Sequence, residues 1–276
     1  MRVLTWNIRT GGGSRLVGIR AVLARERPDL LALQELRGWD RASLRQLADE
    51  LGMAGHLAGS VFGQPVAVLV RPPLRILRRD AVRWRLHHAA AAVTVGPLTF
   101  VSTHLNPVAP YRRYREATWL AARYHSRPVL LAGDLNSIHP SDNPDLSNLP
   151  DRYRRRHLRP PAGDSSPLPS GDNSDLSDSR AESMIDTRAL RAFEAGGLRD
   201  LWQTAGRGPD PDPRGPPAAD GQTVPTTSGG GAEFAPMRLD YLLGSPGVVA
   251  AEMRVVRGDE TEWASDHYPL RADLDL

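Results

Sequence analysis

An apolar run that ends in two polar residues constrains this chain more than any other stretch. Residues 128–132 are apolar and are typical of a strand buried on both faces; Gly133 follows, and then Asp134 and Asn136 with one leucine between them. Alternate side chains of an extended backbone share a face, so this carboxylate and this amide can converge on one small polar ligand. The alternative is an ordinary strand end with an Asx turn, because Gly, Asp, Asn and Ser all favour turns.

The elements around this run predict an α/β fold. Apolar spacing predicts a strand at 2–8, a helix at 16–27, a strand at 29–36 and a helix at 41–51, which is the alternation of an α/β domain. The middle of the chain then predicts antiparallel meanders, followed by one helix before residue 128 and three closing strands. These segments are 66–70, 74–77, 89–95 and 98–105, the helix 111–124, and the strands 237–243, 253–257 and 270–274.

Two stretches rich in proline, glycine and polar residues interrupt this pattern. The longer one, at about 139–182, contains an arginine cluster (Arg152, Arg154, Arg155, Arg156 and Arg159), and the shorter one lies at about 206–221. A helix is predicted at 183–195, with a capping-box-like start formed by Ser183 and Asp186. Strand-like segments that need partners lie on both sides of each stretch, so we predict a single domain over 1–276.

Composition excludes several kinds of chemistry. The chain has no cysteine, which removes disulfides, thiolate zinc sites and a cysteine nucleophile. Every basic side chain other than histidine is arginine, so phosphate contacts fall to arginine, backbone N–H groups or metal rather than to a P-loop lysine. No stretch approaches the roughly 18 apolar residues of a membrane span, and the chain runs from Met1 directly into a strand without a secretory signal. A cytoplasmic monomer is therefore the default expectation.

Polar residues recur at the ends of the predicted strands. They are Asn7, Arg9, Gln34, Glu35, His104, Asn106, Asp134, Asn136, Asp240, Asp266 and His267. One polar strand end is a turn, but six drawn from across the chain predict convergence on one site. The set holds hard oxygen ligands for Mg²⁺ or Mn²⁺ (Glu35, Asp134, Asp240 and Asp266), amides, and two histidines for proton transfer. It lacks the cysteines and the histidine spacing of a zinc cage.

Six short motifs occur in one order along the chain: TWNIR at 5–9, LQE at 33–35, STHL at 102–105, GDLN at 133–136, RLDY at 238–241 and SDHYP at 265–269. Together they resemble the signature set of the endonuclease/exonuclease/phosphatase superfamily, the deoxyribonuclease I-like fold. The resemblance spans nearly the whole chain. It implies a four-layer α/β sandwich, in which two mixed β-sheets pack face to face with helices outside, and metal-assisted hydrolysis of a phosphoester.

The resemblance also implies where a divalent metal and the scissile phosphate would lie. Glu35 would bind the Mg²⁺ or Mn²⁺ ion beside Asn7, and Asp266 would complete the metal or phosphate environment. Asp134 and Asn136 would contact the phosphate and orient the attacking water.

Two histidines complete the implied set. His267, held by Asp240, would act as general base or polarise the phosphate. His104 would bind a phosphate oxygen or protonate the leaving oxygen, and Gln64 is the nearest equivalent of the glutamate that orients this histidine in deoxyribonuclease I. Arg9 and Arg37 join Asn7, His104 and Asn136 as expected substrate contacts.

The sequence leaves the substrate class open. A nuclease or phosphodiesterase ranks first, because the arginine cluster, Arg37 and an isoelectric point near 9.6 suit a nucleic acid, with Trp39, Tyr111, Phe234 and Trp263 as candidate aromatic contacts. A phosphatase for a small phosphorylated metabolite or inositol phosphate follows, with the loop from residue 139 as a lid. A lipid phosphodiesterase lacks a hydrophobic hairpin, and a catalytically dead binding protein predicts losses that do not occur. A Rossmann-type site at 11–13 lacks the required glycine spacing.

Overall fold

The computed structural model describes residues 1–126, 128–159, 184–206 and 221–275. Within these ranges the strands are β1 (Arg2–Asn7), β2 (Leu30–Gln34), β3 (Ala54–Ala58), β4 (Val66–Val70), β5 (Arg78–Val82), β6 (Ala89–Val95), β7 (Leu98–His104), β8 (Val129–Asp134), β9 (Leu158–Arg159), β10 (Met184–Ile185), β11 (Arg199–Asp200), β12 (Asp240–Gly244), β13 (Val249–Val255) and β14 (Leu270–Asp275). The α-helices are α1 (Leu16–Glu26), α2 (Arg41–Leu51), α3 (Pro110–Tyr124), α4 (Asp151–Arg154), α5 (Arg188–Ala195), α6 (Trp202–Ala205) and α7 (Thr261–Ala264).

Two six-stranded mixed sheets form the centre of the molecule. The first has the order β13-β14-β1-β2-β4-β3, and the second has the order β11-β12-β8-β7-β6-β5. β1 and β2 are parallel neighbours in the first sheet, β7 and β8 are parallel neighbours in the second, and the other pairings in both sheets are antiparallel. The two strands of each parallel pair therefore finish at the same end of their sheet. β12 and β14 begin at that end.

Side chains alternate between two apolar layers, as the period of a strand requires. In β2, Leu30 and Ala32 belong to the layer between the sheets, whereas Leu31 and Leu33 pack with α1 and α2. The second sheet is covered in the same way on its outer face by α3 and α5. The order helix, sheet, sheet, helix confirms the predicted four-layer α/β sandwich.

The inner layer becomes polar at one end of the sandwich. Asn7, Gln34, His104, Asp134 and Asp240 continue the inward-facing positions of β1, β2, β7, β8 and β12 past their apolar residues. Gln34 Nε2 donates to Ser102 Oγ across the two sheets at 3.1 Å, which closes the apolar core beneath this polar end. Buried polar groups are costly without partners, so their concentration here marks the site.

Some predicted elements are wrong. The meander strand placed at 74–77 lies at Arg78–Val82, and the strand Ala54–Ala58 has no predicted counterpart. The predicted helix at 183–195 begins only at Arg188, because Met184–Ile185 pairs with Leu158–Arg159 as a strand.

Parts of the two predicted loops lie outside the described residues. Residues 160–183, with Ser183 and its predicted cap, and residues 207–220 lie outside the described ranges. The described start of the longer loop packs on the segment before β12, where Leu146 and Leu149 join Met237 and Leu239 in a small apolar cluster. Among the described residues, no helix has the length and apolar composition that crossing a membrane requires.

Candidate active site

Asp134 is the centre of the polar end of the sandwich. It is the last residue of β8 and is buried. Its Oδ2 accepts a hydrogen bond from Asn7 Nδ2 at 3.0 Å and lies 3.3 Å from His104 Nε2 and 3.7 Å from His267 Nε2. Its Oδ1 accepts from the backbone N–H of Asn136 at 2.9 Å. Groups from both sheets therefore converge on one carboxylate.

The backbone that carries Asp134 depends on a glycine. Gly133 has a φ of 145°, and a Cβ there would lie 1.9 Å from the carbonyl oxygen of Thr103. Thr103 is opposite Gly133 in the parallel pair of β7 and β8, so only a residue without a side chain lets the two strands approach at their ends. This close approach brings His104 beside Asp134.

His267 and Asp240 form a buried pair on the other side of Asp134. His267 Nδ1 lies 2.8 Å from Asp240 Oδ2, which fixes the ring and turns Nε2 toward Asp134. Burial alone would lower the pKa of His267, but the carboxylates of Asp240 and Asp134 raise it to about 10. Burial raises the pKa of Asp134 to about 7, although the positive charge of His267 opposes that rise. The two carboxylates therefore favour the protonated, positively charged form of the His267 imidazole.

His104, in contrast, is held in its neutral form. Burial lowers its pKa well below 6.5, and the nearby rings of His88 and His267 lower it further. A neutral imidazole beside a carboxylate carries its proton on the nitrogen that faces it, which is Nε2. His104 thus presents an N–H donor to the site. Gln64 does not orient it, because Gln64 Nε2 lies 3.5 Å from Glu35 Oε2 instead.

Glu35 and Asp134 converge on a shared neighbour. Asn7 Nδ2 donates to Glu35 Oε1 at 3.1 Å and to Asp134 Oδ2 at 3.0 Å, so the two carboxylates flank one amide. Glu35 Oε2 also accepts from the backbone N–H of Thr10 at 2.9 Å. This arrangement brings the oxygen atoms of two carboxylates, which are hard ligands for a metal ion, close together.

The donor set fits a divalent metal of the magnesium type. Mg²⁺ is usually held by one or two carboxylates together with water and substrate phosphate rather than by a complete protein cage. Glu35 and Asp134 offer two such carboxylates, and the described residues contain no group of three His, Cys, Asp or Glu side chains arranged to hold a metal. Glu35, with Asn7 beside it, would hold the ion.

Asp266 faces an arginine. Its Oδ2 lies 3.4 Å from Arg9 Nε, and its Oδ1 accepts from Ser265 Oγ at 3.2 Å. Arg9 is exposed at the rim of the site, and Arg37 is exposed just after Glu35.

The remaining amides have different surroundings. Asn136 is buried, and its Nδ2 donates to the carbonyl oxygen of Leu105 at 3.2 Å, which ties the ends of β7 and β8 together. Asn106 accepts from the backbone N–H groups of Val108 and Ala109 through its Oδ1, so it shapes the turn before α3. Asn136 lies at the site, whereas the side chain of Asn106 has a structural role.

Backbone strain collects at the site. Among the described residues, the non-glycine residues with positive φ are Arg9, Thr10, Glu35 and Asn136, all at the site, and Arg27 at the end of α1. Such conformations are uncommon outside glycine and persist where the surrounding structure enforces them. Glu35 has a φ of 59°, and its carboxylate is aimed at Asn7 from this conformation.

Sequence reasoning missed one group of residues beside the site. The ring of His88 lies 4.2 Å from the ring of His104, His87 packs edge-on against His88 at 4.5 Å, and Phe62 stacks on His87 at 4.4 Å. The consecutive histidines and a phenylalanine within the glycine-bounded segment 59–63 were the only available signals.

Of the four candidate aromatic contacts predicted from the sequence, Phe234 lies against the site. Its ring packs edge-on against His267 at 5.5 Å. Trp39 donates to the carbonyl oxygen of Gly11 and is partly buried, and Trp263 covers Gly18 of α1. Tyr111 is exposed on α3.

The fold described above recurs in known proteins. The family model described as the Endonuclease/Exonuclease/phosphatase family matches residues 4–267. Among solved structures, the chain is similar to an endonuclease/exonuclease/phosphatase from Bacteroides vulgatus, with 16% identity, coverage of 100% of this chain and 98% of that chain, and a TM-score of 0.66.

Two further solved structures carry more specific names. A 3'-5' exonuclease from Neisseria meningitidis has 19% identity, full coverage of both chains and a TM-score of 0.62. A mannosyl-6-phosphatase from Bacteroides thetaiotaomicron has 14% identity, full coverage of both chains and a TM-score of 0.60. At such identities the similarity shows the fold alone. A search of curated proteins found no match.

Proposed function

Because this chain belongs to the Endonuclease/Exonuclease/phosphatase family, whose members hydrolyse phosphoesters, we propose that it is a Mg²⁺-dependent phosphodiesterase, with a nucleic acid as its substrate. The observation that carries the proposal is the convergence of Asn7, His104 and the His267–Asp240 pair on Asp134. An acidic group between two nitrogen donors of different charge suits a phosphate that must be bound and attacked by water.

The side chains divide the work on the phosphate. His267, turned toward the site by Asp240, presents an N–H and a positive charge to a phosphate oxygen. His104 presents a neutral N–H to a second oxygen, which favours phosphate binding over proton donation to the leaving oxygen. Asp134 and Asn136 orient the attacking water. Asp134 lies beside both histidines, and from this position it accepts the proton that the water releases.

Glu35 and Asn7 would hold the divalent ion beside this group. When bound, Mg²⁺ supplies neutralisation of the negative charge that builds on the phosphate and on the leaving oxygen. Asp266 has a different part in the proposal. It holds Arg9 at the rim, where the guanidinium and that of Arg37 attract an anionic substrate.

A phosphatase for a small phosphorylated metabolite is the second candidate. The described part of the longer loop supports it, since Arg156 forms a hydrogen bond with Glu233 at 2.5 Å, next to Phe234, which packs on His267. This contact forms one wall of the site, and such a wall suits a small substrate as well as a nucleic-acid strand. The mannosyl-6-phosphatase and the exonuclease among the similar structures leave both candidates in place.

A panel of substrates separates the two candidates. The protein is assayed with Mg²⁺, Mn²⁺ or EDTA on single-stranded DNA, RNA, bis-p-nitrophenyl phosphate, p-nitrophenyl phosphate and sugar or inositol phosphates. We expect Mg²⁺-dependent cleavage of the diesters, at least about tenfold faster than that of the monoesters. A monoester preference would replace the first candidate with the second, and activity that survives EDTA would contradict the metal requirement.

A further inference from the structure

A column of four aromatic rings leads from the site to the protein surface. It begins at His104, which is buried beside Asp134, and continues through His88 and His87 to Phe62. Phe62 is 56% exposed, and its ring is nearly parallel to that of His87, with 14° between the planes. A single exposed apolar side chain is ordinary, but this one is the outer member of a stack that ends at the reacting group.

The column is fixed to the site by a buried carboxylate. Glu116, on α3, accepts from the backbone N–H of His87 through one oxygen and from that of Asn106 through the other, at 2.5 and 2.8 Å. Asn106 follows the end of β7 by two residues, so His87 cannot move far without moving the strand that carries His104. Glu116 thus ties the loop that carries His87 to the strand that carries His104.

Two exposed arginines lie near the column. Arg37 and Arg112, both exposed, lie near enough for their charges to lower the pKa of His88 and His87 respectively, after the larger effect of burial. A flat apolar face with guanidinium groups nearby suits a ligand that alternates planar rings with phosphates. A sugar phosphate has no planar ring to place there.

We propose that Phe62 and His87 form a stacking platform for a nucleobase of the strand whose scissile phosphate binds beside Asp134. The position of that phosphate rests on the proposed function. The platform makes nucleic acid, with an unpaired base at the outer end of the column, the substrate class of this site. Stacking of a base on an aromatic side chain is sequence-tolerant, since every base has a flat face, so the platform selects for the presence of a base and not for its identity.

Binding and hydrolysis of two chains of equal charge test the platform. One is a fluorescent five-residue thymidylate, and the other is the same phosphate chain with tetrahydrofuran in place of every nucleoside. Anisotropy in EDTA measures binding without cleavage. We expect the wild type to bind the thymidylate at least about tenfold more tightly than the abasic chain.

Substitutions on exposed positions show which ring is responsible. Phe62→Ala should remove most of that preference and leave binding of the abasic chain unchanged, whereas Phe62→Trp should keep it. Trp84→Ala is the matched control, because Trp84 is 81% exposed and packs on Arg83, and it should behave as the wild type. Equal binding of the two chains by the wild type, or a preference that survives Phe62→Ala, would overturn the platform.

Hydrolysis of the abasic chain with Mg²⁺, measured in parallel, separates the two proposals. Cleavage of that chain together with base-independent binding refutes the platform and leaves the proposed function intact. Base-dependent, Phe62-dependent binding without cleavage of either chain supports the platform and refutes the proposed function.

Discussion

At the scale of single residues, the site depends on how each carboxylate is placed. Asp134 lies among nitrogen donors, Asp240 faces His267, and Asp266 faces Arg9. Glu35 differs, because its two oxygens accept only from Asn7, Thr10 and Gln64 among the described contacts, and none of these donors carries a charge. It is therefore the carboxylate whose negative charge is left for a cation.

Glu35→Gln should weaken the response to Mg²⁺. The amide keeps the shape of the side chain but removes the charge that attracts the ion, so the Mg²⁺ concentration for half-maximal hydrolysis should rise by about 10- to 100-fold. A Mg²⁺ titration of the initial rate measures this. Glu50→Gln, on the exposed face of α2 and paired with Arg20, is the control and should leave the curve unchanged. An unaltered curve for Glu35→Gln would remove this residue from the metal site.

At the scale of elements, the parallel pair of β7 and β8 sets the geometry. Gly133→Ala should lower the free energy of unfolding by roughly 3 kcal/mol or more, because a Cβ 1.9 Å from the carbonyl oxygen of Thr103 must push the strands apart. Gly96→Ala is the matched control, since Gly96 also has a positive φ, of 55°, but has no atom within 4 Å of its added Cβ.

Urea denaturation compares the two variants. We expect Gly96→Ala to cost only about 1 kcal/mol, from backbone strain alone. If both alanine variants lose the same stability, the close approach of β7 and β8 is not what requires Gly133.

The elements that sequence reasoning found and missed differ in burial. The central strands β1, β2, β7 and β8 are nearly all buried and were predicted within about two residues. β3 and β5 were missed or misplaced, and each is the outer strand of its sheet, where half-exposed residues such as His56 and Arg78 break the apolar pattern.

The same difference explains the candidate site. The strand-end residues could be predicted, because buried strands ending in polar groups leave a pattern in the sequence. The Phe62–His87–His88 stack could not, because it depends on how two surface loops meet in space. The start of α5 was missed for a related reason, since pairing of β10 with β9 overrides a local capping pattern.

At the scale of the whole molecule, buried histidines link stability to pH. Burial, followed by the charges of Arg113 and Arg156, lowers the pKa of His157 from 6.5 to about 3. The unfolded chain thus binds this proton more tightly than the folded chain. The contribution of neutral His157 is fully present above pH 6.5 and is lost as the pH falls toward 3, by up to about 1.4 kcal/mol per pH unit.

His157→Gln should flatten this dependence. We expect the free energy of unfolding to decline less steeply between pH 6 and pH 4 than it does in the wild type, as measured by urea denaturation at each pH. His125→Gln, at an exposed position after α3, should keep the wild-type slope. Parallel slopes for the wild type and His157→Gln would show that His157 is not buried in its neutral form.

The arginine cluster of the longer loop is a second property of the whole surface. Arg152 stacks on Tyr153 and Arg155 is exposed, so both charges remain available to a polyanion. Replacing both with alanine should reduce the slope of log K against log salt for a single-stranded oligonucleotide by about 1.4, or 0.7 per phosphate contact. Arg45→Ala, exposed on α2, should leave the slope unchanged. An unchanged slope in the double variant would exclude the cluster from binding.

The pairing of β1 with β14 affects when the protein can fold during its biosynthesis. β1 lies inside the first sheet, between β2 and β14, and Arg2 pairs with Asp273. During synthesis, the N–H and C=O groups on one side of β1 cannot form their hydrogen bonds until β14 is translated, about 270 residues later. His267 lies three residues before the start of that partner, so a growing chain has no complete site until its last residues are made. Closure of the sheet and assembly of the site are therefore one late event in biosynthesis.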